Sequence, residues 1–417
     1  MLPVVDALAT ILGALSPLPP ERVSLLDARG RVLAEDLRAP RDLPPRDNSA
    51  MDGYALRHAD VAETGGVLQV LESIAAGGEG SRALQAGEAA KIMTGAPLPA
   101  GADTVVPVED TQAVGDRVKI LRLPDPGAHI RPAGEDVRAG QLVIPSGTWV
   151  RPAEVGMMAS LGRSFVAVHQ RPRVAVLATG DEIVEIDSPT EGGRIVNSNS
   201  YGVAAQVAEA GGVPVILGIG RDDPEGLLAM LGHAGTADAV ITTGGVSMGD
   251  YDYVRPVLAK AGVDVRFWKV AMKPGKPFVF GLSGRAPVFG LPGNPVSAMV
   301  VFEEFVRPAL RVMQGHSRPF RPVLEAVLAP EAGGVHTRKG RTDFVRCRVE
   351  LRDGQLVVVS LKSQGSGILR TLVEANALLV VASEDQGAEP GDHVRVQLYD
   401  SSFMDGVEPG LPGSDRK

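Results

Sequence analysis

The fold is decided by residues Val174–Glu182, which read VAVLATGDE, five apolar residues followed at once by a polar turn that contains glycine. A short apolar run bounded by a turn signal predicts a buried strand. The same pattern returns at residues 239–250 (AVITTGGVSMGD) and at residues 287–295 (PVFGLPGNP). Three strands that end in glycine turns indicate one sheet with a glycine-lined edge.

Helical segments separate these strands along the chain. Asn199 is suited to opening a helix over residues 202–210, and Pro295 suits the first turn of a helix over residues 295–313. The alternation predicts a doubly wound, mostly parallel sheet that binds ligands at the carboxyl ends of its strands. The other predicted strands are residues 213–219, 265–270 and 277–281, and the other predicted helices are residues 224–231 and 253–261.

The pattern changes on both sides of this region, which indicates a multidomain α/β plus β protein. Apolar spacing predicts helices in the first forty residues, including one within residues 23–37. Arg352-Asp353-Gly354 between two apolar runs predicts a β-hairpin. The predicted parts are a discontinuous helical or mixed domain (1–40 and 137–169), an inserted β-rich domain (41–136), the α/β domain (170–318), a C-terminal β domain (319–400) and a frayed tail (401–417).

Composition excludes several classes of function. The formal net charge of −8 argues against nucleic-acid binding, and 4% aromatic residues disfavour a base-stacking surface. Cys347 is the only cysteine, so the chain cannot form an internal disulfide or a cysteine zinc site. The first seven residues lack a basic segment, and no run reaches about 18 apolar residues. We therefore expect a cytoplasmic protein without membrane contacts.

The glycine turns favour an anion site, because glycine lets backbone N–H groups approach an anion closely. The helix at Pro295 adds its positive dipole end, with Asn294 as the expected cap. Acidic residues gather at the same edge, which suits a divalent cation between them and a phosphate. Helix capping is the competing explanation for these acids. They are Asp181, Glu182, Asp222, Asp223, Asp250 and Asp252.

Residues 267–277, FWKVAMKPGKP, place three lysines in eight residues. Strand alternation predicts Lys269 and Lys273 on one face, where they can neutralise an oxyanion, although a solvated charged loop is the alternative. Polar, glycine-punctuated segments occur elsewhere at residues 46–55, 91–97, 131–136, 340–346 and 363–367. The residues alone therefore predict an enzyme or binding protein for a phosphorylated or similarly anionic small molecule, with Mg²⁺.

The segments that carry this chemistry resemble those of the molybdopterin molybdenumtransferases, the molybdenum-insertion enzymes related to the C-terminal domain of gephyrin. The resemblance implies a homodimer of elongated four-domain subunits, with molybdopterin bound by the α/β domain. The active cleft is then shared with the inserted β module of the other subunit. The matching segments, in family order, are Asp47–Tyr54, Ile92–Pro97, Thr179–Glu182, Asn197–Ser200, Thr243–Asp252, Lys273–Pro277 and Leu291–Pro295.

The resemblance also implies a reaction: adenylylated molybdopterin and molybdate give molybdenum cofactor and AMP, assisted by Mg²⁺. Glu182, Asp222 and Asp252 are the expected metal ligands, with Asp250 an open alternative to Asp252. Lys269, Lys273, Arg346 and Ser366 are expected to receive molybdate, with Arg341 an open alternative to Arg346. The β-module cleft positions are Asp52, Thr94, Arg131 and Asp136. The expected substrate-binding residues at the sheet edge are Thr179, Gly180, Asn197, Ser198, Gly244, Gly245, Ser247, Pro292, Gly293, Asn294 and Pro295.

Two other functions compete with molybdenum insertion. The preceding step, adenylyl transfer to molybdopterin, needs only the α/β region, so the flanking modules count against it. A non-catalytic scaffold like gephyrin is disfavoured by the retained lysine and aspartate set. Contact with the upstream adenylyltransferase is a further expectation, and a preference for molybdate over tungstate is not predicted.

Overall fold

The computed structural model describes residues 1–63, 66–220, 225, 228, 229, 232, 235–244 and 258–404. The chain forms two compact units. One comprises residues 1–23, 30–34 and 167–417, and the other comprises residues 24–29 and 35–166.

The longest helix of the described residues follows the last strand of the α/β region. That long helix runs as Pro295–Val301, a π-helical turn Phe302–Val306, and Arg307–Met313, which confirms the helix predicted over residues 295–313. The other α-helices are Val4–Gly13, His58–Glu63, Pro152–Ser160, Ser198–Glu209 and Arg370–Glu374, and the 3₁₀ turns are Val108–Asp110, Glu191–Gly193, Pro330–Ala332 and Ser402–Met404.

A six-stranded sheet forms the centre of the first unit. Its first four strands are parallel to one another, the fifth runs antiparallel to them, and the sixth pairs antiparallel with the fifth. Val174 and Val176 pack into one apolar core, whereas Ala175 and Leu177 pack into another. The sheet is therefore buried on both faces, as expected of a doubly wound fold. In spatial order the strands are Val213–Gly220, Arg173–Thr179, Ala239–Thr243, Ala286–Leu291, Pro277–Ser283 and Val263–Lys269.

The C-terminal β domain belongs to the same unit. Thr342–Arg352 and Gln355–Ser360 pair as a hairpin, and Asp353 and Gly354 have φ of +49° and +78°, which is the type I′ turn that an Asp-Gly pair favours. Pairing of Thr342–Arg352 with Ala377–Val381 closes five strands into a ring. The other strands are Val323–Leu328, His393–Leu398 and the edge strand Met272–Lys273, and short pairs join Ile183–Val184 to Ile195–Val196 and Val335–His336 to Gly387–Ala388.

The second unit contains a six-stranded sheet and two small strand pairs. Asn48–Ser49 pairs with Ile130–Arg131, and Leu37–Arg38 pairs with Leu142–Ile144. In spatial order the strands of the large sheet are Thr104–Pro107, Gly53–Leu56, Glu88–Ile92, Val67–Ile74, Arg117–Ile120 and Thr111–Val114.

The helix predicted within residues 23–37 is wrong. Pro20–Ser24 is a strand, and turns follow it as far as Gly30, whose φ is +77°. Residues 20–24 are extended, and Gly30, with its left-handed φ, interrupts any helical path through residues 23–37. One further strand, Phe165–His169, completes the described elements. The predicted helices at residues 224–231 and 253–261 lie largely outside the described residues.

No helix among the described residues is long and apolar enough to cross a lipid bilayer.

Candidate functional site

Three strand ends of the central sheet converge on one cavity of about 680 Å³. Thr179 and Gly180 line it from the first strand end, Thr243 and Gly244 from the second, and Pro292–Pro295 from the third. We call this cavity the corner pocket. The parallel register brings these turns together, because the carboxyl ends of parallel strands share one edge of the sheet.

Glycine is required where these turns touch. Gly244 has a φ of +90°, and a Cβ atom there would lie 2.4 Å from the Thr179 carbonyl oxygen. At Gly293 a Cβ would make only ordinary contact, 3.6 Å from the Cα of Gly244, so the requirement for glycine is at Gly244. The Asn199 side chain donates a hydrogen bond to the Gly293 carbonyl at 2.7 Å, which ties the third turn to the start of the Ser198–Glu209 helix. The glycines therefore allow the three turns to pack as one surface.

Two buried polar atoms of the corner pocket lack partners among the described residues: Thr179 Oγ1 and Asn197 Nδ2. Thr179 is 7% exposed and Asn197 is 2% exposed. Asn197 caps the Ser198–Glu209 helix by accepting a hydrogen bond from the Ser200 N–H at 3.2 Å, so only its amide nitrogen is unused. A buried polar atom without a partner is costly, and a ligand in the pocket would satisfy both. Ser198 also lines this pocket and is exposed.

Asn294 occupies the cap position of the long helix but does not cap it with its side chain. The Val296 N–H at this helix start instead donates to the Ser366 carbonyl at 3.1 Å. The expected capping bond is therefore replaced by a contact from the C-terminal domain, and Asn294 lines the corner pocket.

The lysine segment does not form the single strand that the sequence predicts. One strand ends at Lys269, and the Met272–Lys273 strand pairs with Thr342 and Asp343 of the other sheet. The chain therefore leaves the central sheet between the two lysines, and the prediction that strand alternation places Lys269 and Lys273 on one face is wrong. A run of two-residue periodicity cannot show that a strand passes from one sheet to another.

Lys273 lines a second cavity of about 640 Å³, which we call the lysine pocket. Lys276, Arg341 and Ser366 also line it. Pro277, Pro292 and Asn294 line both this pocket and the corner pocket, so the two cavities adjoin.

The structure also distinguishes the two arginines that the sequence left open. Arg341 lines the lysine pocket and forms a salt bridge with Asp343 at 2.7 Å, with its side chain 29% exposed. Arg346 is 1% exposed, and its guanidinium donates to the carbonyl oxygens of Ser363 and Gly365 and to the Thr371 hydroxyl. It does not line the lysine pocket but borders a third cavity, of about 230 Å³. Lys276 and Asn199 were not among the predicted site residues. Lys276 belongs to the predicted lysine cluster, and Asn199 lies in the matching segment Asn197–Ser200, although its contact with Gly293 was not predicted.

Among the acidic residues, Glu182 lines the corner pocket. Its carboxylate folds back over the turn, with Oε2 2.9 Å from where a Cβ on Gly180 would lie. The described residues contain no cluster of three or more His, Cys, Asp or Glu side chains suited to a metal ion. The predicted site residues Asp222, Gly245, Ser247 and Asp252, and the alternative Asp250, lie outside the described residues.

The second unit holds its own polar arrangement around Asp52. The Thr94 backbone N–H and hydroxyl donate to Asp52 Oδ1 at 2.7 Å and 2.9 Å. These two donors stabilise the carboxylate and lower the pKa of Asp52. Arg131 and Asp136 are exposed, and Arg131 lies opposite Asn48 in the short strand pair. This unit therefore presents an exposed aspartate held in its ionised form.

Comparison with known protein families matches three parts of the chain to named family regions. Residues 2–162 match the MoeA N-terminal region (domain I and II), residues 175–312 match a probable molybdopterin binding domain, and residues 329–399 match the MoeA C-terminal region (domain IV). The class is thus a multidomain protein built around a molybdopterin-binding domain of doubly wound fold.

Relatives and a solved structure extend these matches over nearly the whole chain. The molybdopterin molybdenumtransferase of a Nostoc species is 39% identical over 90% of this chain and 88% of its own length. Molybdopterin molybdenumtransferase 2 of Mycobacterium tuberculosis is 41% identical over 90% and 94%. The crystal structure of the molybdopterin biosynthesis moeA protein from Pyrococcus horikoshii OT3 has a TM-score of 0.81 at 32% identity, covering 96% of this chain and all of that one. The chain belongs to the molybdopterin molybdenumtransferase family, which confirms the resemblance drawn from its motifs.

Proposed function

We propose that this protein is a transferase of molybdenum cofactor biosynthesis that inserts molybdenum from molybdate into adenylylated molybdopterin and releases AMP. The observation that carries the proposal is the junction of two cavities of different character. The corner pocket is lined by glycine turns and unpartnered polar atoms, and the adjoining lysine pocket is lined by cationic side chains. A large anionic organic substrate and a small oxyanion must meet in this reaction, and two adjoining cavities support the proposal that each has its own site.

The corner pocket suits the pterin–nucleotide. Its volume of about 680 Å³ lies in the range of pockets that hold small organic ligands. Gly180, Gly244 and Gly293 line the pocket, and in this proposal the phosphate lies against their turns. Thr179 Oγ1 and Asn197 Nδ2 offer a hydroxyl and an amide donor to the polar edges of the substrate. The pocket thereby orients the substrate toward the lysine pocket beside it.

The lysine pocket suits molybdate, a tetrahedral dianion. Lys273 and Lys276 contribute exposed ammonium groups, which bind oxyanions as point charges. Arg341 contributes a guanidinium whose charge is shared with Asp343, so it orients an anion more than it adds charge. Ser366 lines the same wall. These groups hold the metal oxyanion next to the substrate, so that reaction becomes effectively intramolecular.

Mg²⁺ is part of the proposal, and the described residues are compatible with it. Glu182 places a carboxylate on the corner pocket, and carboxylate oxygen is the donor that Mg²⁺ prefers beside phosphate and water. Glu182 would hold the ion together with Asp222 and Asp252. When bound, the ion supplies charge neutralisation and polarisation at the phosphoanhydride. The homodimer, the role of Asp52 with its neighbours, contact with the upstream adenylyltransferase and the cytoplasmic location stay predictions from the sequence.

The test is AMP release from adenylylated molybdopterin in the presence of Mg²⁺, with and without molybdate. We expect molybdate to accelerate release by the wild-type protein. Lys273→Ala removes one ammonium group from the lysine pocket and should raise the KM for molybdate about tenfold, the size of one lost charge-assisted contact. Lys339→Ala is the matched control. It removes the same charge from an exposed position that does not line the lysine pocket.

Three results would contradict the proposal. Release of AMP at the same rate with and without molybdate would exclude metal insertion. Pyrophosphate release from ATP and molybdopterin would favour the adenylyltransferase instead. Equal effects of Lys273→Ala and Lys339→Ala on the KM for molybdate would show that molybdate does not bind in the lysine pocket.

A further inference from the structure

Arg346 carries a positive charge in an unusually buried place. It lies within the Thr342–Arg352 strand, is 1% exposed, and forms no salt bridge with any carboxylate of the described residues. Its guanidinium donates instead to the carbonyl oxygens of Ser363 at 3.3 Å and Gly365 at 3.2 Å, and through Nε to the Thr371 hydroxyl at 2.9 Å. A buried charge is costly unless it is well hydrogen-bonded. These contacts offset that cost, and two of them hold the loop that contains Ser363 and Gly365.

The loop that Arg346 holds is fixed from several directions. The Gln364 side chain accepts a hydrogen bond from the Arg346 backbone N–H at 3.0 Å and donates to the Arg346 carbonyl at 2.9 Å. The Ser366 carbonyl accepts from the Val296 N–H at the start of the long helix. Gln364, Gly365 and Ser366 all line the lysine pocket. Arg346 thus lies behind a wall of that pocket without lining the pocket itself.

The peptide between Gly365 and Ser366 links the two sides of this wall. The peptide is trans, so its carbonyl and its N–H point in opposite directions. The Gly365 carbonyl faces Arg346, and the Ser366 N–H is therefore directed away from Arg346. No acceptor among the described residues takes the Ser366 N–H. An N–H oriented in this way at a cavity wall is suited to an anion.

We propose that Arg346 is a positioning residue: its buried guanidinium turns the Ser363–Ser366 loop so that the Ser366 N–H points into the lysine pocket and donates to the bound oxyanion. The inference rests on the proposed function and deepens it. It also gives Arg346 a role different from direct contact with molybdate.

The test compares Arg346→Lys with Arg348→Lys, using molybdate itself as the probe. Lysine keeps the charge, but its single nitrogen cannot take the positions of both Nε and Nη2, through which Arg346 holds Thr371 and the loop. Arg348 lies two residues along the same strand with its side chain 63% exposed, so it controls for the substitution alone. We expect Arg346→Lys to weaken molybdate binding, measured by calorimetry, and to raise the KM for molybdate, each about tenfold.

The kinetic pattern distinguishes positioning from general damage. For Arg346→Lys, kcat and the KM for adenylylated molybdopterin should change less than about twofold, whereas a loss of overall structure would alter all three constants. If Arg346→Lys does not fold, Thr371→Val decides the matter, because it keeps Arg346 and removes the hydroxyl that accepts from Arg346 Nε and donates to the Ile368 carbonyl. A rise of about threefold in the Kd for molybdate supports the inference.

The positioning role of Arg346 is overturned if the Kd for molybdate is unchanged in the folded Arg346→Lys protein. If Arg346→Lys does not fold, an unchanged Kd in Thr371→Val overturns it. If that Kd depends on Arg346 but molybdate does not accelerate AMP release, the positioning role stands and the proposed function fails. If molybdate accelerates AMP release and the Kd is unchanged, only the positioning role fails. A wild-type protein that binds no molybdate overturns both.

Discussion

Replacing Gly244 with alanine tests whether the turns of the corner pocket pack as closely as the structure shows. The new Cβ would lie 2.4 Å from the Thr179 carbonyl oxygen, and ordinary contact begins near 3.4 Å, so one turn must move by about 1 Å. The φ of +90° adds backbone strain that glycine does not feel. Together these effects should lower the free energy of unfolding by about 3–4 kcal/mol.

Gly284→Ala is the matched control for this substitution. Gly284 also has a positive φ, +59°, but a Cβ there meets nothing within 4 Å. It should therefore cost only the backbone strain, about 1 kcal/mol. Both residues lie in the same compact unit, so native-state hydrogen exchange of the Arg173–Thr179 amides reports on both variants. Equal losses of protection in the two variants would refute the close approach of Gly244 to Thr179.

Three further predictions follow from titratable groups and turn geometry. Thr94→Val removes one of the two donors that stabilise the Asp52 carboxylate, so the pKa of Asp52, measured by carbon NMR titration, should rise toward its ordinary value of 3.8; an unchanged pKa would show that the hydroxyl contributes nothing. Burial, reinforced by the charge of Glu303, raises the pKa of Glu304 to about 8. Because this pKa is higher in the folded protein than in the unfolded chain, the contribution of Glu304 to stability is complete below about pH 4.5 and is lost as the pH rises toward about 8. Glu304→Gln should flatten this fall in urea unfolding measured across that range, and an identical slope in the variant would contradict the assignment. Asp353→Val should destabilise the hairpin by about 1–2 kcal/mol, since a β-branched residue tolerates the φ of +49° poorly; unfolding at the wild-type urea midpoint would argue against the type I′ turn.

Much of the central fold was predictable because its signals are local. The apolar run at residues 174–178, the Asp-Gly turn at residues 353–354 and the helix over residues 295–313 each follow from neighbouring residues, and the structure confirms all three. The helix expected within residues 23–37 was wrong because apolar spacing alone does not show the strand Pro20–Ser24 or the left-handed turn at Gly30.

The candidate site was predictable as a set of strand ends, since parallel strands bring their carboxyl ends to one edge. Its details were not predictable in the same way. Asn294 was expected to cap the long helix, but the Ser366 carbonyl, about seventy residues later in the chain, takes the Val296 N–H instead. Lys269 and Lys273 lie four residues apart yet belong to different sheets.

The amino-acid sequence by itself determined the strand-and-turn pattern of the α/β domain, its glycine-lined edge and the family to which the chain belongs. Only the tertiary structure decided that Lys273 and Arg341 line one cavity while Arg346 lies buried behind its wall. The physical reason is the range of the interactions. Propensity and turn chemistry act between neighbours along the chain, whereas burial and hydrogen bonding of a side chain depend on segments that meet only when the domains fold.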